Sequence, residues 1–130
     1  MKIKTIKQTV NFKINPSVIY GALLDSKKHS LFTDSKAKAS SKVNGKFSAY
    51  GGYIEGKNLE LVKNKKIVQT WRASDWPEGM FSIVTFLFTK AKTGCTLKFT
   101  HEGVPANQYK DLKYGWTEYY WNPIKEMFKK

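Results

Sequence analysis

The sequence predicts an α+β domain of helix-grip form, a curved antiparallel sheet wrapped around a long C-terminal helix, with two short helices after the first strand. Three observations lead there. Residues 36–102 form a meander of β-branched and aromatic segments punctuated by Asn-Gly and Gly-Gly turns. Two short helical patterns follow an opening strand. In the last segment, apolar residues recur every three or four positions. At 130 residues the chain has the size of a single domain spanning 1–130. It is long enough to bury about two-thirds of its unfolded surface without disulfides or metals.

Each element has its own signal. In residues 2–13, Ile6, Val10 and Phe12 alternate with Lys7, Thr9, Asn11 and Lys13, the pattern of a strand with one wet face. Asn15-Pro16 supplies an N-cap and a first-turn proline for a short helix expected to bury Val18, Ile19, Leu23 and Leu24. Ser26 is placed to cap a second short helix carrying His29, Leu31 and Phe32, with His29 expected on its surface. Turn chemistry then recurs at Asn44-Gly45, Gly51-Gly52, Gly56-Lys57-Asn58, Asn64 and Thr93-Gly94. The strands expected among these turns are Phe47–Tyr50, Tyr53–Val62, Ile67–Arg72, Met80–Thr89 and Cys95–His101.

From about Asn107 to Phe128 the residues Tyr109, Leu112, Trp116, Tyr119, Tyr120, Ile124 and Met127 make one helical stripe. A helix of about 22 residues spans roughly 33 Å, enough to cross a whole sheet. Pro123 has no N–H for the carbonyl of Tyr119, so a kink is expected there. The strand at 80–89 is apolar on both faces, with Val84, Phe86 and Phe88 on one and Phe81, Ile83 and Leu87 on the other. Cover of the second face by the two short helices is expected, a contact surface being the alternative.

Composition removes several function classes. The net charge is +13, carried by 22 lysines and one arginine, Arg72. Specific nucleic-acid readers lean on the planar arginine fork, so a specific nucleic-acid partner is not expected. Many lysines alternate along strands, as in Lys2/Lys4, Lys36/Lys38 and Lys90/Lys92, and read as a solvated face. Their concentration in residues 1–66, where the balance is +10, leaves room for an acidic protein partner. One cysteine, Cys95, makes no intrachain disulfide, and with only His29 and His101 a Cys/His metal site is not expected. The amino terminus lacks the apolar core of a signal peptide, and the longest apolar stretch, Phe81–Phe88, is too short to span a bilayer. The Asn15-Pro16-Ser17 triplet has the proline that forbids glycosylation. The expectation is a cytoplasmic domain without a transmembrane segment, a metal or a cofactor.

Several motifs resemble one family. They are Gly51-Gly52-Tyr53-Ile54-Glu55-Gly56-Lys57-Asn58-Leu59-Glu60-Leu61, Lys66-Ile67-Val68-Gln69-Thr70-Trp71-Arg72, Asp75-Trp76-Pro77-Glu78-Gly79, Thr100-His101-Glu102-Gly103-Val104-Pro105, and Gly115-Trp116 followed by Tyr119-Tyr120. Together they are similar to the activator-of-heat-shock-protein-90-ATPase homologue family, within the START and birch-pollen-allergen-like superfamily. The resemblance covers essentially the whole chain in the right order. It implies a START-like, helix-grip domain of the type found carboxy-terminal in eukaryotic activators, where a larger amino-terminal domain makes principal contacts with the chaperone. It also implies either a hydrophobic ligand held between sheet and helix or, as in a minority of the superfamily, an enzyme such as a polyketide cyclase.

The candidate site lies between sheet and helix. Trp71, Val84, Phe86, Phe88, Leu97, Phe99 and His101 are expected to face Leu112, Trp116 and Tyr120 across a pocket of about a few hundred cubic ångströms. Cys95 and His101 share a face, but six strand residues separate them by about 20 Å, which excludes a catalytic dyad. His101 is either a polar group facing the cavity, able to orient a ligand or shuttle a proton, or a structural histidine bonded to the adjoining turn. Asp75, Trp76 and Pro77 form a loop with a tryptophan leaning toward solvent, read equally as a lid or partner contact and as a tight turn in which Pro77 and Gly79 reverse the chain and Trp76 plugs one end of the cavity. The leading function is therefore non-enzymatic: binding of a hydrophobic small molecule or lipid, or of a protein partner, in or beside the cavity. The alternatives are a co-chaperone module contacting the heat-shock-protein-90 chaperone, and a cyclase- or hydrolase-like enzyme centred on His101.

Overall fold

Period-two alternation becomes a six-stranded antiparallel sheet in the computed structural model, which describes residues 2–128. The strands are β1 (Ile3–Phe12), β2 (Lys46–Ala49), β3 (Ile54–Val62), β4 (Lys66–Ala73), β5 (Ser82–Ala91) and β6 (Gly94–Pro105). They lie in the order β1-β6-β5-β4-β3-β2. Helices α1 (Pro16–Leu24) and α2 (Ser26–Thr33) follow β1. The helix-grip architecture read from the sequence is the one observed, with strand limits shifted by a few residues.

Local chemistry sets the boundaries. Asn15 Oδ1 accepts from the Ser17 N–H at 3.0 Å and opens α1. The cap of α2 is Asp25 rather than Ser26, its carboxylate accepting from the Lys28 N–H at 2.9 Å. The β5–β6 hairpin closes at the Ala91/Gly94 pair, and Gly94 has φ +141°, where a side chain is strained and a Cβ would meet the Phe12 carbonyl. The fully buried Asn58 donates to the carbonyls of Ser40 (2.8 Å) and Lys42 (2.9 Å), tying the loop before β2 to β3.

The inner sheet face carries Ile6, Phe12, Ile67, Trp71, Val84, Phe86, Leu97 and Phe99, all buried. Against it lies a C-terminal helical run of three parts: α3 (Tyr109–Trp116), a π-turn (Thr117–Trp121) and α4 (Asn122–Met127). Trp116, Tyr120, Trp121 and Ile124 are its buried residues. Each large aromatic buried in this way contributes about 1.5–3 kcal/mol by area, with about 0.5–1.5 kcal/mol more for a well-set aromatic pair.

Three expectations change here. The irregularity expected at Pro123 lies one turn earlier, in the π-turn, and Pro123 falls in the first turn of α4, where a missing N–H is tolerated. The wider turn brings Trp116 and Trp121, five residues apart, into a stack with centroids 5.7 Å apart and planes 20° apart. It also turns Tyr119 outward, 54% exposed, where the stripe had it buried. Second, α1 and α2 pack on the same side as the C-terminal helix, with Tyr20 edge-on to Phe88 and Phe32 edge-on to Tyr120. The outer face of β5 is therefore not covered by them, and Phe81 and Leu87 are exposed. Third, Val18, expected in the core of the first helix, is exposed.

Candidate functional site

Beside the C-terminal helix an apolar cleft of about 460 Å³ opens to solvent. One wall is the turn before β3, with Tyr50, Tyr53 and Ile54; the other is the helix, with Leu112, Gly115 and Tyr119; Trp71, Trp116 and Tyr120 lie at the base and Asp111 at the rim. Tyr50 has φ +53° and is followed by Gly51 and Gly52, also at positive φ, so the chain reverses over three left-handed residues. That conformation disfavours a bulky side chain by roughly 1–2 kcal/mol.

Two interactions hold Tyr50 there. Its ring meets Tyr119 edge-on at 6.0 Å, and its hydroxyl donates to the Tyr119 carbonyl at 3.2 Å. That is the carbonyl Pro123 leaves without a helical donor. Burial, then the neighbouring Tyr119, push the Tyr50 phenol up to about 12. On the other side of the π-turn, the Thr117 N–H turns to the Tyr114 carbonyl. Gln8 Nε2 from β1 donates to the Lys113 carbonyl at 3.1 Å, while Gln8 Oε1 accepts from the Trp121 indole at 2.7 Å. Side chains from the sheet thus satisfy helix carbonyls that the irregular turn exposes.

The interior is filled. Beneath the cleft a void of about 10 Å³ touches His29, Trp71, Trp116 and Tyr120, which is room for about one water. Of the cavity residues expected from the sequence, Trp71, Leu112, Trp116 and Tyr120 line the cleft. Val84, Phe86, Phe88, Leu97, Phe99 and His101 do not; they are closed into the sheet–helix core. Phe99 packs against Trp116 at 4.5 Å and against Trp121 at 5.1 Å, which closes the sheet against the helix at that point.

His101 is 0% exposed, and both ring nitrogens are engaged. The Trp116 indole N–H can only donate, so Nδ1 accepts from it at 3.1 Å. Nε2 then carries the proton and donates to Ser82 Oγ at 2.7 Å, and that hydroxyl donates to the Trp71 carbonyl at 2.8 Å. Burial pushes the imidazole down to about 3, so the ring is neutral. No ring nitrogen faces the cleft, and the partners are side chains of β5 and α3 rather than the adjoining turn.

His29, expected on the surface, is 4% exposed. Its Nδ1–H donates to the Leu23 carbonyl at 3.0 Å, and Nε2 accepts from the Tyr120 hydroxyl at 2.8 Å. Burial lowers its pKa, partly offset by that carbonyl, and burial raises the Tyr120 phenol.

The 73–80 loop is fastened down. Trp76, read from the sequence either as leaning toward solvent or as a plug, is 4% exposed against Trp71 and donates its indole N–H to Gln108 Oε1 at 2.8 Å. Arg72 donates to the carbonyls of Trp76 (2.7 Å), Pro77 (3.3 Å) and Met80 (3.3 Å) and reaches Glu55 at 3.4 Å. Asp75 accepts from the Tyr53 hydroxyl at 3.2 Å on the cleft rim. The cleft residues absent from the set expected from the sequence are Tyr50, Tyr53, Ile54, Asp111, Gly115 and Tyr119; the Gly51-Gly52 pair flanked by two tyrosines is the signal for the first of them. Among the described residues no three His, Cys, Asp or Glu side chains group as a metal site, and no helix is long and apolar enough to cross a membrane.

The fold and site together define a helix-grip domain with a packed core and a tyrosine-rimmed cleft beside its C-terminal helix. Residues 13–129 match the family model described as Activator of Hsp90 ATPase homolog 1-like protein, and the chain belongs to that family. It is 32% identical over 130 residues to Activator of 90 kDa heat shock protein ATPase homolog 1 of Homo sapiens, covering 98% of this chain and 38% of that protein. The Dictyostelium discoideum homologue is 33% identical over 126 residues, covering 96% of this chain and 33% of its own length. The chain thus spans about a third of the length of the curated relatives it matches. The crystal structure of an HSP90 activator from Plasmodium falciparum superposes with a TM-score of 0.88 at 32% identity, covering 95% of this chain and 94% of that one.

Proposed function

We propose that this domain is a binding module of co-chaperone type, without chemistry of its own, that seats an apolar side chain of an Hsp90-type chaperone in the cleft beside its C-terminal helix. The observation that carries this reading is the cleft itself, an open apolar surface on a fold whose interior is packed. The family and the printed names of its relatives support the class of partner. A net charge of +13 favours an acidic one, with association that weakens as salt rises. His101, enclosed and neutral, offers no base to a substrate, so the cyclase-like reading lacks its central group.

The test is ATPase stimulation and pull-down with the chaperone of the same source at 50 mM and 300 mM salt. The Tyr53→Ser/Tyr119→Ala variant alters only rim side chains and keeps the Tyr119 carbonyl for Tyr50. Binding and stimulation should fall at least tenfold in the variant, with an unchanged circular dichroism spectrum. No binding by the wild type at low salt, or equal binding by the variant, overturns the reading.

A second reading rests on cleft size: about 460 Å³ lies within the range of small-molecule sites, about 300–1,000 Å³. A hydrophobic small molecule or lipid would then occupy the same surface. Chemical-shift titration with oleate and with naphthol tests it; shifts on Tyr53, Leu112 and Tyr119 support it, and their absence with both removes it.

A further inference from the structure

A second feature lies on the opposite face of the sheet. Lys46 of β2 stands directly across from Lys57 of β3, and Lys38 pairs with Ser48, two residues further along β2. Like charges directly opposite on a sheet repel, so this arrangement costs stability unless an anion joins it. The ion pairs among the described residues are Lys66–Glu60 and Arg72–Glu55, and neither engages these three lysines. The lysines border a hollow of about 660 Å³ whose other lining includes Thr70, Phe81 and Glu55. Glu55 is turned to Arg72, and Phe81, 49% exposed, offers its ring to solvent with the Arg72 guanidinium 5.8 Å from its centroid.

We propose that this hollow is a docking surface for an acidic peptide segment that carries an apolar side chain: carboxylates meet Lys38, Lys46 and Lys57, and the apolar residue rests on Phe81. The surface faces away from the cleft and does not depend on what the cleft binds. Two other polyanions fit less well. The chain's single arginine is already committed to three loop carbonyls, and one aromatic ring is not the row of stacking platforms that single-stranded nucleic acid uses. A hollow receives a side chain rather than inserting one, which suits a peptide better than a lipid surface.

The repulsion supplies a discriminating variant. Lys57→Glu turns a like-charged cross-strand pair into an opposite one, so the protein should be at least as resistant to urea as the wild type while losing affinity. Lys7→Glu, exposed on β1 at the far edge of the sheet from β2, makes the same change in net charge away from the hollow. The probe is the blocked peptide Glu-Leu-Glu-Phe-Glu-Leu-Glu, titrated into the full chain at 50 mM NaCl and followed by amide shifts. Shifts should centre on Lys46, Lys57, Thr70 and Phe81. Lys57→Glu and Phe81→Ser should each weaken binding at least fivefold, Lys7→Glu less than twofold, and the peptide with Gln in place of Glu should not bind. Equal losses for Lys7→Glu and Lys57→Glu, shifts centred on the cleft, or no binding at all overturn the proposal. So does tighter binding of a thymidine decamer or of phosphatidylserine vesicles at the same residues.

Discussion

Acid should weaken this fold through His101, and the size of the effect follows from its surroundings. The folded protein holds the ring neutral down to about pH 3, whereas an unfolded histidine takes its proton near pH 6.5. A histidine whose folded pKa is lowered contributes stability fully present above the unfolded value and lost as pH falls from there toward the folded value. A second proton would set an Nδ1–H against the Trp116 indole N–H, two donors 3.1 Å apart. Between pH 7 and 4.5 the loss from His101 alone is about 3 kcal/mol, a large part of the roughly 5–15 kcal/mol that stabilises a domain. His29, also lowered by burial, adds in the same direction. Urea unfolding monitored by tryptophan fluorescence at pH 7, 6, 5 and 4.5 measures the sum. His101→Gln isolates the part due to His101, because the amide donates to Ser82 and accepts from Trp116 but does not titrate. The variant should be less stable at pH 7, by about 1–3 kcal/mol, and that deficit should shrink by about 3 kcal/mol by pH 4.5. A wild-type-minus-variant difference that stays constant over this range refutes the assignment of a neutral, doubly engaged ring.

Other substitutions read separate parts of the structure. Gln8→Leu leaves the Trp121 indole N–H and the Lys113 carbonyl without their partner and should cost about 1–3 kcal/mol in urea unfolding. Tyr50→Phe removes only the donor to the Tyr119 carbonyl; about 1 kcal/mol should be lost, with faster amide exchange confined to residues 117–124. Gly94→Ala places a Cβ against the Phe12 carbonyl at a strained φ and should lower the urea midpoint by an amount equivalent to about 2 kcal/mol or more. Cys95 is buried and its thiol is raised by burial, so dithionitrobenzoate at pH 8 should react only after denaturant is added.

What the sequence made legible was local. Alternation along Cys95, Leu97, Phe99 and His101 and the Asn15-Pro16 cap both depend on a few neighbouring residues, and both appear in the structure. Long-range facts were not legible. His29 is buried because Tyr120, 91 residues away, meets its ring nitrogen. Trp76 turns inward because Gln108 waits for its indole N–H, and because Arg72 fastens the loop beneath it. The helical stripe assumed 3.6 residues per turn throughout, and one wider turn moved Tyr119 out and Trp121 in. The candidate site suffered from a related gap. Aromatic residues on two facing surfaces look the same in sequence whether they enclose a cavity or close on one another, and Phe99 on Trp116 closes it.

The π-turn has a consequence for how this protein can vary in length. Such a turn is an α-helix that has absorbed one additional residue, with the flanking segments kept in phase. Removing one residue within 117–121 should therefore leave Ile124 in its seat against the sheet, whereas removing one inside α3 would swing everything after it by about 100°. The helix thus holds one place, Thr117 to Tyr119 ahead of the buried Tyr120 and Trp121, where losing a residue keeps α4 in phase with the sheet. The cost falls elsewhere, on the carbonyls that Gln8 and Tyr50 have come to serve.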